Sequence, residues 1–306
     1  MSNASIERWP GCHGVRLRSS ALDVGATSGH PLADVTLRVA TLPDPIPDEL
    51  WRIHGEAITG RVKREVDRWL CRHPGGQLVV HASAGPAVAF DPSTGEIVTS
   101  PGSESLVLQL VTSFGLPLVL NGEPALVVHA SACVNDGEAV VFCGPSGSGK
   151  SSALVRLLDA GWRGLTEDVC CFDMRRRQPL AWPGPPWVRR VPGDEGPHGA
   201  VVRFESPDKL AWDIAPWQHD APAPVSFMVF LDPPGGDEPE WRPLSRAETV
   251  KQVAAQAVWV RDPSEAGRRL FGLAVDFAGQ VRALRLRIPR GPSWLERFPE
   301  ILAAAM

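Results

Sequence analysis

The chain has 306 residues, of which 22% are charged and 43% hydrophobic, so it can bury a large core and is not of disordered composition. This length predicts two domains or one enlarged domain. The formal charge of −4 gives no sign of a basic nucleic-acid binder, and no apolar run is long enough for a membrane span. Six cysteines without a C-x-x-C pair predict reduced, buried thiols in a cytoplasmic protein.

The first 120 residues are predicted to alternate short strands with two helices. Apolar residues between positions 49 and 70 recur at helical spacing, which predicts a helix there in spite of Gly55 and Gly60. The other expected elements are strands over 15–23, 34–40, 77–82, 87–91 and 96–99, a turn over 92–95 and an apolar helix over 103–119.

The sequence changes in character after a turn at 121–124, where apolar, β-branched runs begin. We therefore predict an N-terminal α+β module over 5–122 and a nucleotide-binding core over 123–306. The elements expected in the core are strands over 125–134, 138–143, 165–173, 225–231 and 282–288, and helices over 149–160, 246–258, 263–277 and 293–304. The Pro-, Trp- and Arg-rich segment 175–197 is predicted to be an extended surface loop.

A complete G-x-x-x-x-G-K-S phosphate loop lies between a predicted strand and a predicted helix. The expected nucleotide-binding residues are Gly144, Pro145, Ser146, Gly147, Ser148, Gly149, Lys150, Ser151 and Ser152. The glycines allow backbone N–H groups to surround phosphates, and the helix adds its positive N-terminal end. Lys150 supplies a charge for the phosphates and the Ser151 hydroxyl can bind Mg²⁺. The motif predicts a site for the phosphates of ATP.

Two adjacent acids, Glu167 and Asp168, open the next predicted strand. Alternation along a strand places one carboxylate on each side of the pleat. One of them can hold Mg²⁺ while the other takes a proton from an acceptor hydroxyl. The alternative, a solvated acidic turn, is disfavoured by the phosphate loop upstream.

Several other residues have both a functional and an ordinary interpretation. His129 lies in an apolar run, where a histidine is more often part of the core than of a site. Lys209 is either a phosphate ligand or a surface lysine. The runs at 175–177 and 189–190 are more simply solvated arginines than a grip on an acidic substrate. Trp182 and Trp187 are candidates for a lid or a peptide-binding edge.

Segments 129–132, 144–152 and 160–169 together resemble the catalytic core of HPr kinase/phosphorylase and its relatives, which share a core with ATP-dependent phosphoenolpyruvate carboxykinase. The resemblance is strong over 125–173 and extends to 243–248, where it is closest to HPr-kinase-related proteins of peptide-modification gene clusters. It implies an α/β fold with a P-loop core of this type and a smaller N-terminal α+β module. Some members of the family assemble into rings, so a homo-oligomer is one of the alternatives for the assembly of this chain.

The resemblance also implies roles for individual residues. It places His129 near the transferred phosphoryl group, Lys150 on the phosphates, Ser151 and Asp168 on the metal, and Glu167 in the position of the base. The family usually has Asp where this chain has Glu167, which leaves open which of the two acids is the base. The family's Glu-x-Arg-Gly-x-Gly signature is absent, which favours a monofunctional kinase.

Three functions are compatible with these observations. The first is a Mg²⁺- and ATP-dependent kinase acting on a Ser-type hydroxyl of a peptide or protein, including ribosomal precursor peptides of the lasso type. The second is a small-molecule kinase with the same core. The third is a nucleotide-binding protein without transfer activity, which would not need the candidate base provided by Glu167 or Asp168. No nucleic acid or membrane is an expected partner.

Overall fold

The structure, a computed structural model, describes residues 13, 15–19, 32–40, 50–59, 62–72, 78–82, 87–91, 93–101, 108, 110–120, 123–205, 209–258, 263–289 and 293–306. These residues form a mixed α/β fold with three β-sheets. None of the described helices is long and apolar enough to cross a membrane. The four cysteines whose side chains are described are buried free thiols, as expected from the sequence: Cys133, Cys143, Cys170 and Cys171.

The first sheet has the strand order β1-β2-β7-β6-β5-β4-β3. Its strands are β1 (Val15–Ser19), β2 (Ala33–Val39), β3 (Leu50–Thr59), β4 (Val62–Arg72), β5 (Leu78–Ala82), β6 (Ala87–Asp91) and β7 (Glu96–Thr99). The strands predicted near these positions are confirmed, and residues 20–23 lie outside the described part of the chain. The helix predicted over 49–70 is wrong, because β3 and β4 pair as an antiparallel hairpin in which Thr59 lies opposite Val62.

A helical segment follows the first sheet and packs against it. The described part of the helix predicted over 103–119 contains one π-helical turn, Val111–Gly115, which continues into α1 (Leu116–Leu120). Ile97 of the first sheet, Leu118 of α1 and Val127 beyond it are buried in one apolar cluster. The core therefore runs from the first sheet into the second, and the expected module boundary at 122 stays a prediction.

The second sheet carries the phosphate loop. Its strands are β8 (Ala125–Val128), β9 (Ala130–Asn135), β10 (Glu138–Cys143), β11 (Arg163–Thr166), β12 (Cys170–Asp173), β13 (Leu180–Ala181), β17 (Ala223–Leu231), β18 (Glu240–Pro243) and β19 (Arg282–Arg287). The order is β11-β9-β10-β17-β13-β12-β8, with β19 also paired to β17 and β18 paired to β19. The expected strand over 125–134 is broken at His129 into β8 and β9.

One edge of this sheet collects the ends of several parallel strands. β17 runs parallel to β10, and β19 runs parallel to β17. β9 is antiparallel to both β10 and β11, so β11 also runs parallel to β10. The carboxyl ends of β10, β11, β17 and β19 therefore share one edge, together with the start of β9. We call it the carboxyl edge; ligands of α/β proteins bind at such edges.

The third sheet and the remaining helices complete the fold. The sheet consists of β14 (Trp187–Arg190), β16 (Leu210–Asp213) and β15 (Val202–Glu205), in that spatial order. The helices are α2 (Lys150–Asp159), α3 (Arg246–Gln256), α4 (Pro263–Ala278), α5 (Ser293–Glu296) and α6 (Phe298–Ala305). The predicted helices are confirmed, although the last one is divided at Arg297. The predicted loop over 175–197 is wrong in part, because it contains β13 and β14.

Candidate functional site at the carboxyl edge

The phosphate loop leaves β10 after Cys143 and enters α2 at Lys150. Gly149 caps the helix in the left-handed region with a φ of 99°, which a side chain would disfavour. Residues 145–147 form the exposed tip of the loop, and Gly144 at its base is buried. The strand, loop and helix therefore follow one another as the motif predicts, with the N-terminal end of α2 at the carboxyl edge.

Neighbouring strands hold the phosphate loop at both of its ends. A Cβ atom on Gly144 would overlap the carbonyl oxygen of Leu231 at the end of β17. A Cβ atom on Gly149 would lie 3.2 Å from Cδ1 of Ile288 and 3.4 Å from Cη2 of Trp294. These close approaches require small residues, so the glycines serve the packing of the loop as well as its conformation.

Lys150 and Ser148 provide the polar groups inside the loop. The Lys150 ammonium group donates hydrogen bonds of 2.7 Å and 3.1 Å to the carbonyl oxygens of Gly144 and Pro145. Burial lowers the pKa of Lys150. The buried hydroxyl of Ser148 has no hydrogen-bond partner among the described residues. A buried hydroxyl of this kind fits an oxygen acceptor such as a phosphate.

The first turn of α2 connects the loop to residues from elsewhere in the chain. The Ser151 hydroxyl donates a hydrogen bond of 2.8 Å to Oε1 of Glu167. The hydroxyl of Ser152 accepts one of 2.8 Å from Nη1 of Arg190, whose Nη2 lies 2.9 Å from a carboxylate oxygen of Asp194. The helix that follows the phosphate loop is therefore tied directly to the predicted acids.

Glu167 and Asp168 lie in a tight turn between β11 and β12, which we call the acid turn (residues 166–169). The Thr166 hydroxyl closes the turn with a hydrogen bond of 2.6 Å to the carbonyl oxygen of Val169. Asp168 has a φ of 72°, in the left-handed region. The expectation that the two acids alternate across a strand is wrong, because the left-handed residue turns both carboxylates toward the same arginine.

That arginine is Arg189, on β14. Its Nη2 donates to the carboxylate of Asp168, and its Nε lies 3.7 Å from Oε2 of Glu167. The side chains of Arg189 and Glu167 are only 9% and 4% exposed, so their charges depend on each other. The solvated arginine run predicted at 189–190 is wrong, since both residues are buried in the site.

His129 lies at the break between β8 and β9, at the same edge. Its Nδ1 lies 2.8 Å from the backbone carbonyl oxygen of Asp168, the geometry of a donated hydrogen bond, and 3.5 Å from Oδ1. The ring is 40% exposed, yet the surrounding protein still lowers its pKa by desolvation, with Asp168 acting in the opposite direction. In the neutral ring, Nε2 is then the nitrogen free to accept a proton.

A second histidine, His13, reaches the acid turn from the N-terminal part of the chain. Its ring is buried, and neither ring nitrogen has a hydrogen-bond partner among the described residues. Burial lowers its pKa to about 4, with the charge of Asp168 acting in the opposite direction. It lines a narrow cleft with Thr112, Ser113, Glu167, Asp168 and Arg189. No sequence pattern around His13 or Arg189 indicated that they belong to this site.

Three further candidates are placed as follows. Trp182 and Trp187 are both 4% exposed, so they belong to the core and the prediction of a lid is wrong. Lys209 is partly buried, and its charge contributes to lowering the pKa of Lys150. Within the described part of the chain, no group of three His, Cys, Asp or Glu side chains is arranged to hold a metal ion.

Comparison with known proteins gives distant likenesses among solved structures. No family model matches the chain, and no curated protein matches its sequence. Among solved structures, the Hpr(Ser) kinase/phosphatase from Coxiella burnetii is similar over 58% of this chain and 90% of that one, with 14% identity and a TM-score of 0.30. An overlap this loose leaves the function of the present chain to be argued from its own site.

Proposed function

We propose that this protein is a Mg²⁺- and ATP-dependent kinase that transfers a phosphoryl group to a hydroxyl of a peptide or protein. The observation that carries the proposal is the hydrogen bond between Ser151 and Glu167, which joins the phosphate loop to the acid turn. This bond brings a nucleotide-binding loop and two acids, the buried Glu167 and the partly exposed Asp168, together at one edge of the sheet. The peptide nature of the acceptor, including ribosomal precursor peptides, rests on the sequence resemblance alone.

The phosphate loop is suited to the polyphosphate of a nucleotide. The backbone N–H groups at the start of α2, the Lys150 ammonium group and the unpartnered Ser148 hydroxyl are all donors at the carboxyl edge. Phosphate oxygens accept from each of these groups. Lys150 neutralises charge on the phosphates, including the charge that develops on the leaving oxygen as its bond to the transferred group breaks.

Ser151 and Glu167 are suited to Mg²⁺. Their oxygen atoms lie 2.8 Å apart, and hydroxyl and carboxylate oxygens are the ligands that this cation prefers. Mg²⁺ is usually held by one or two carboxylates together with substrate phosphates, so a partial set of protein ligands fits. When bound, the ion would neutralise charge on the phosphate oxygens.

Asp168 is then the better placed of the two acids to act on the acceptor. Its carboxylate is 19% exposed, against 4% for Glu167, and it lies beside His129 and Arg189 rather than beside Ser151. These contacts favour Asp168 as the base and Glu167 on the metal side, the reverse of the roles implied by the resemblance. Arg189 holds both carboxylates in position.

In the proposed reaction the acceptor oxygen attacks the γ-phosphorus of ATP. A new P–O bond forms to the acceptor, the bond to the bridging oxygen breaks, and ADP leaves with that electron pair. The acceptor proton passes to the carboxylate of Asp168. Nδ1 of His129 lies 2.8 Å from the backbone carbonyl oxygen of Asp168 and 3.5 Å from its carboxylate, so His129 helps to hold the base in position, and the base returns its proton to solvent after transfer.

The experiment is to incubate the purified protein with Mg²⁺, ATP and a panel of Ser-containing peptides, and to measure intact masses. A peptide that gains one phosphoryl group, with no gain in the Lys150→Ala variant, supports the proposal. Transfer to sugars or other small hydroxyl compounds but to no peptide would identify a small-molecule kinase. Nucleotide binding without any transfer would contradict the kinase proposal and leave a binding protein.

A further inference from the structure

A second cavity opens at the carboxyl edge, on the side of the phosphate loop away from the acid turn. It has a volume of about 320 Å³. Its walls come from the segment after β17, which contains Asp237 and Glu238, and from the segment after β19, which contains Pro289, Trp294, Arg297 and Ile301. None of the predicted site residues lines this cavity.

The strand order fixes where this cavity lies relative to the chemistry. In the row β11-β9-β10-β17-β19, the phosphate loop follows the central strand β10. The acid turn follows β11 on one side of it, and both walls of the cavity follow β17 and β19 on the other side. The phosphate loop therefore lies between the acid turn and the cavity.

The walls of the cavity contact both ends of the phosphate loop. Leu231, from which the first wall begins, approaches Gly144 so closely that no side chain fits there. Trp294 and Ile288, on the second wall, pack against Gly149. The two walls are joined to each other by a hydrogen bond of 2.9 Å from Gly235 N to the carbonyl oxygen of Ile288. Trp294 therefore both lines the cavity and packs against the phosphate loop, so the two are adjacent.

The chemistry of the lining separates an apolar wall from a polar rim. Trp294, Pro289 and Ile301 offer an apolar surface of the kind that accommodates an aromatic base. Asp237 and Glu238 are exposed carboxylates at the rim, with the exposed Arg297 as their neighbour. Carboxylates repel phosphate but accept hydrogen bonds from hydroxyl groups, as acidic residues do with ribose in dinucleotide sites.

We propose that this cavity is the nucleoside subsite of the protein, binding a purine base against Trp294 and Ile301 and the ribose hydroxyls at Asp237 and Glu238. The inference rests on the proposed function, because it requires the phosphate loop to hold a nucleotide. It adds a binding site that the phosphate-loop motif does not contain. It also explains why the carboxylates of Asp237 and Glu238 lie near an anion-binding loop, because they would contact the uncharged ribose of the ligand.

The test compares three ligands that share a diphosphate: ADP and GDP, which carry a nucleoside, and inorganic pyrophosphate, which carries none. Binding of ADP, GDP and inorganic pyrophosphate, each with Mg²⁺, is measured by calorimetry for the full chain. The variants are Asp237→Ala combined with Glu238→Ala, and separately Trp294→Leu. The matched controls are Glu195→Ala, an exposed acid elsewhere, and Trp241→Leu, a tryptophan that is 47% exposed and does not line the cavity.

We expect the wild-type protein to bind ADP or GDP at least about tenfold more tightly than pyrophosphate, a difference of about 1.4 kcal/mol. The double variant should lose about tenfold in nucleotide affinity and keep its affinity for pyrophosphate, while both controls keep both affinities. Trp294→Leu should lose at least about tenfold more in nucleotide affinity than in pyrophosphate affinity, because Trp294 also packs against Gly149 of the loop. If the Trp294→Leu protein does not fold, the double variant on the exposed loop still decides the question.

Unchanged nucleotide affinity in a folded cavity variant would overturn the nucleoside subsite. The proposed function would survive that result, provided that Lys150→Ala still weakens the binding of both nucleotide and pyrophosphate. A wild-type protein that binds neither the nucleotides nor pyrophosphate would overturn the nucleotide-binding function and the subsite together. Equal affinities of the wild-type protein for ADP, GDP and pyrophosphate would overturn the subsite alone.

Discussion

The phosphate loop and the acid turn meet at the same edge of the sheet and are built in different ways. The loop takes its groups from consecutive residues, 144–152, between one strand and one helix. The acid turn takes its contacts from distant parts of the chain: His13, Ser113, His129, Ser151 and Arg189. The geometry of the loop follows from local backbone conformation, while that of the acid turn depends on the whole fold.

The difference also extends to solvent exposure. The tip of the loop is exposed, whereas Glu167 and Arg189 are almost fully buried. Buried charges are stable only when they are paired, so the acid turn ties the stability of the fold to the positions of its acids. Changes in the acid turn should therefore affect stability or chemistry strongly, and the following predictions test how separable the two effects are.

The largest effect is expected for Asp168→Asn. Loss of the proposed base should reduce the rate of phosphoryl transfer by about two to four orders of magnitude, the usual contribution of a general base. The affinity for Mg²⁺ and ADP should change little, because Glu167 is the acid that accepts the hydrogen bond from Ser151 and is assigned to the metal side. Single-turnover rates and calorimetry on the same protein measure the two quantities. A loss of affinity with an unchanged rate would contradict the assignment.

The second prediction concerns Arg189→Ala, which leaves the buried Glu167 and the partly exposed Asp168 without their common partner. We expect the free energy of unfolding to fall by about 3 to 5 kcal/mol, the usual cost of breaking a buried ion pair. Denaturant titration measures this. The matched control, Arg176→Ala on an exposed turn, should change stability by less than about 0.5 kcal/mol. Equal effects of the two variants would mean that the acid turn does not depend on Arg189.

The third prediction uses the burial of His13. Its pKa is lowered from 6.5 to about 4, so the unfolded chain takes up a proton at a higher pH than the folded chain does. The stability that neutral His13 provides is complete above pH 6.5 and is lost as the pH falls toward 4. This loss amounts to about 3 kcal/mol.

Unfolding free energies measured across this pH range in the wild-type protein and in His13→Gln check the prediction. Because burial also lowers the pKa values of His129 and His219, both proteins should lose stability toward acid. The wild-type protein should lose more. Parallel pH profiles would show that His13 is not buried beside the acid turn.

The smallest effect is expected for Glu167→Gln, which keeps the hydrogen bond to Ser151 possible but removes the charge. The Mg²⁺ concentration needed for half-maximal nucleotide binding should rise about tenfold, which corresponds to about 1.4 kcal/mol. Glu195→Gln, an exposed acid, serves as the control. An unchanged Mg²⁺ requirement with a large loss of rate would return the role of base to Glu167.

The contrast between the two regions explains what could be predicted from the sequence. The phosphate loop was predictable because its conformation is encoded by glycines within the motif itself. Glu167, Asp168 and His129 were proposed from their spacing and from the family resemblance, and the structure brings them together in an orientation that the sequence did not predict. Arg189 lies 22 residues beyond Glu167, and His13 comes from before the first sheet, so no local pattern connects them to the site.

The hairpin of β3 and β4 shows a second reason why secondary structure could not be predicted from the spacing of apolar residues. Its apolar residues have helical spacing, yet the segment pairs with itself and then with β5. Many of these residues are of strand-favouring types, including Trp51, Ile53, Ile58, Val62 and Val66. Residue type was therefore the better signal, and the availability of a neighbouring strand outweighed the spacing.

The central claim is that this chain transfers a phosphoryl group held at its phosphate loop. The most direct test measures transfer from ATP in the presence of Mg²⁺ by the wild-type protein and by Lys150→Ala, with the folding of the variant confirmed by its unfolding curve. We expect transfer by the wild-type protein and a loss of about a hundredfold or more in the variant, since Lys150 neutralises charge on the phosphates and on the leaving oxygen. Equal transfer by the two folded proteins would contradict the account.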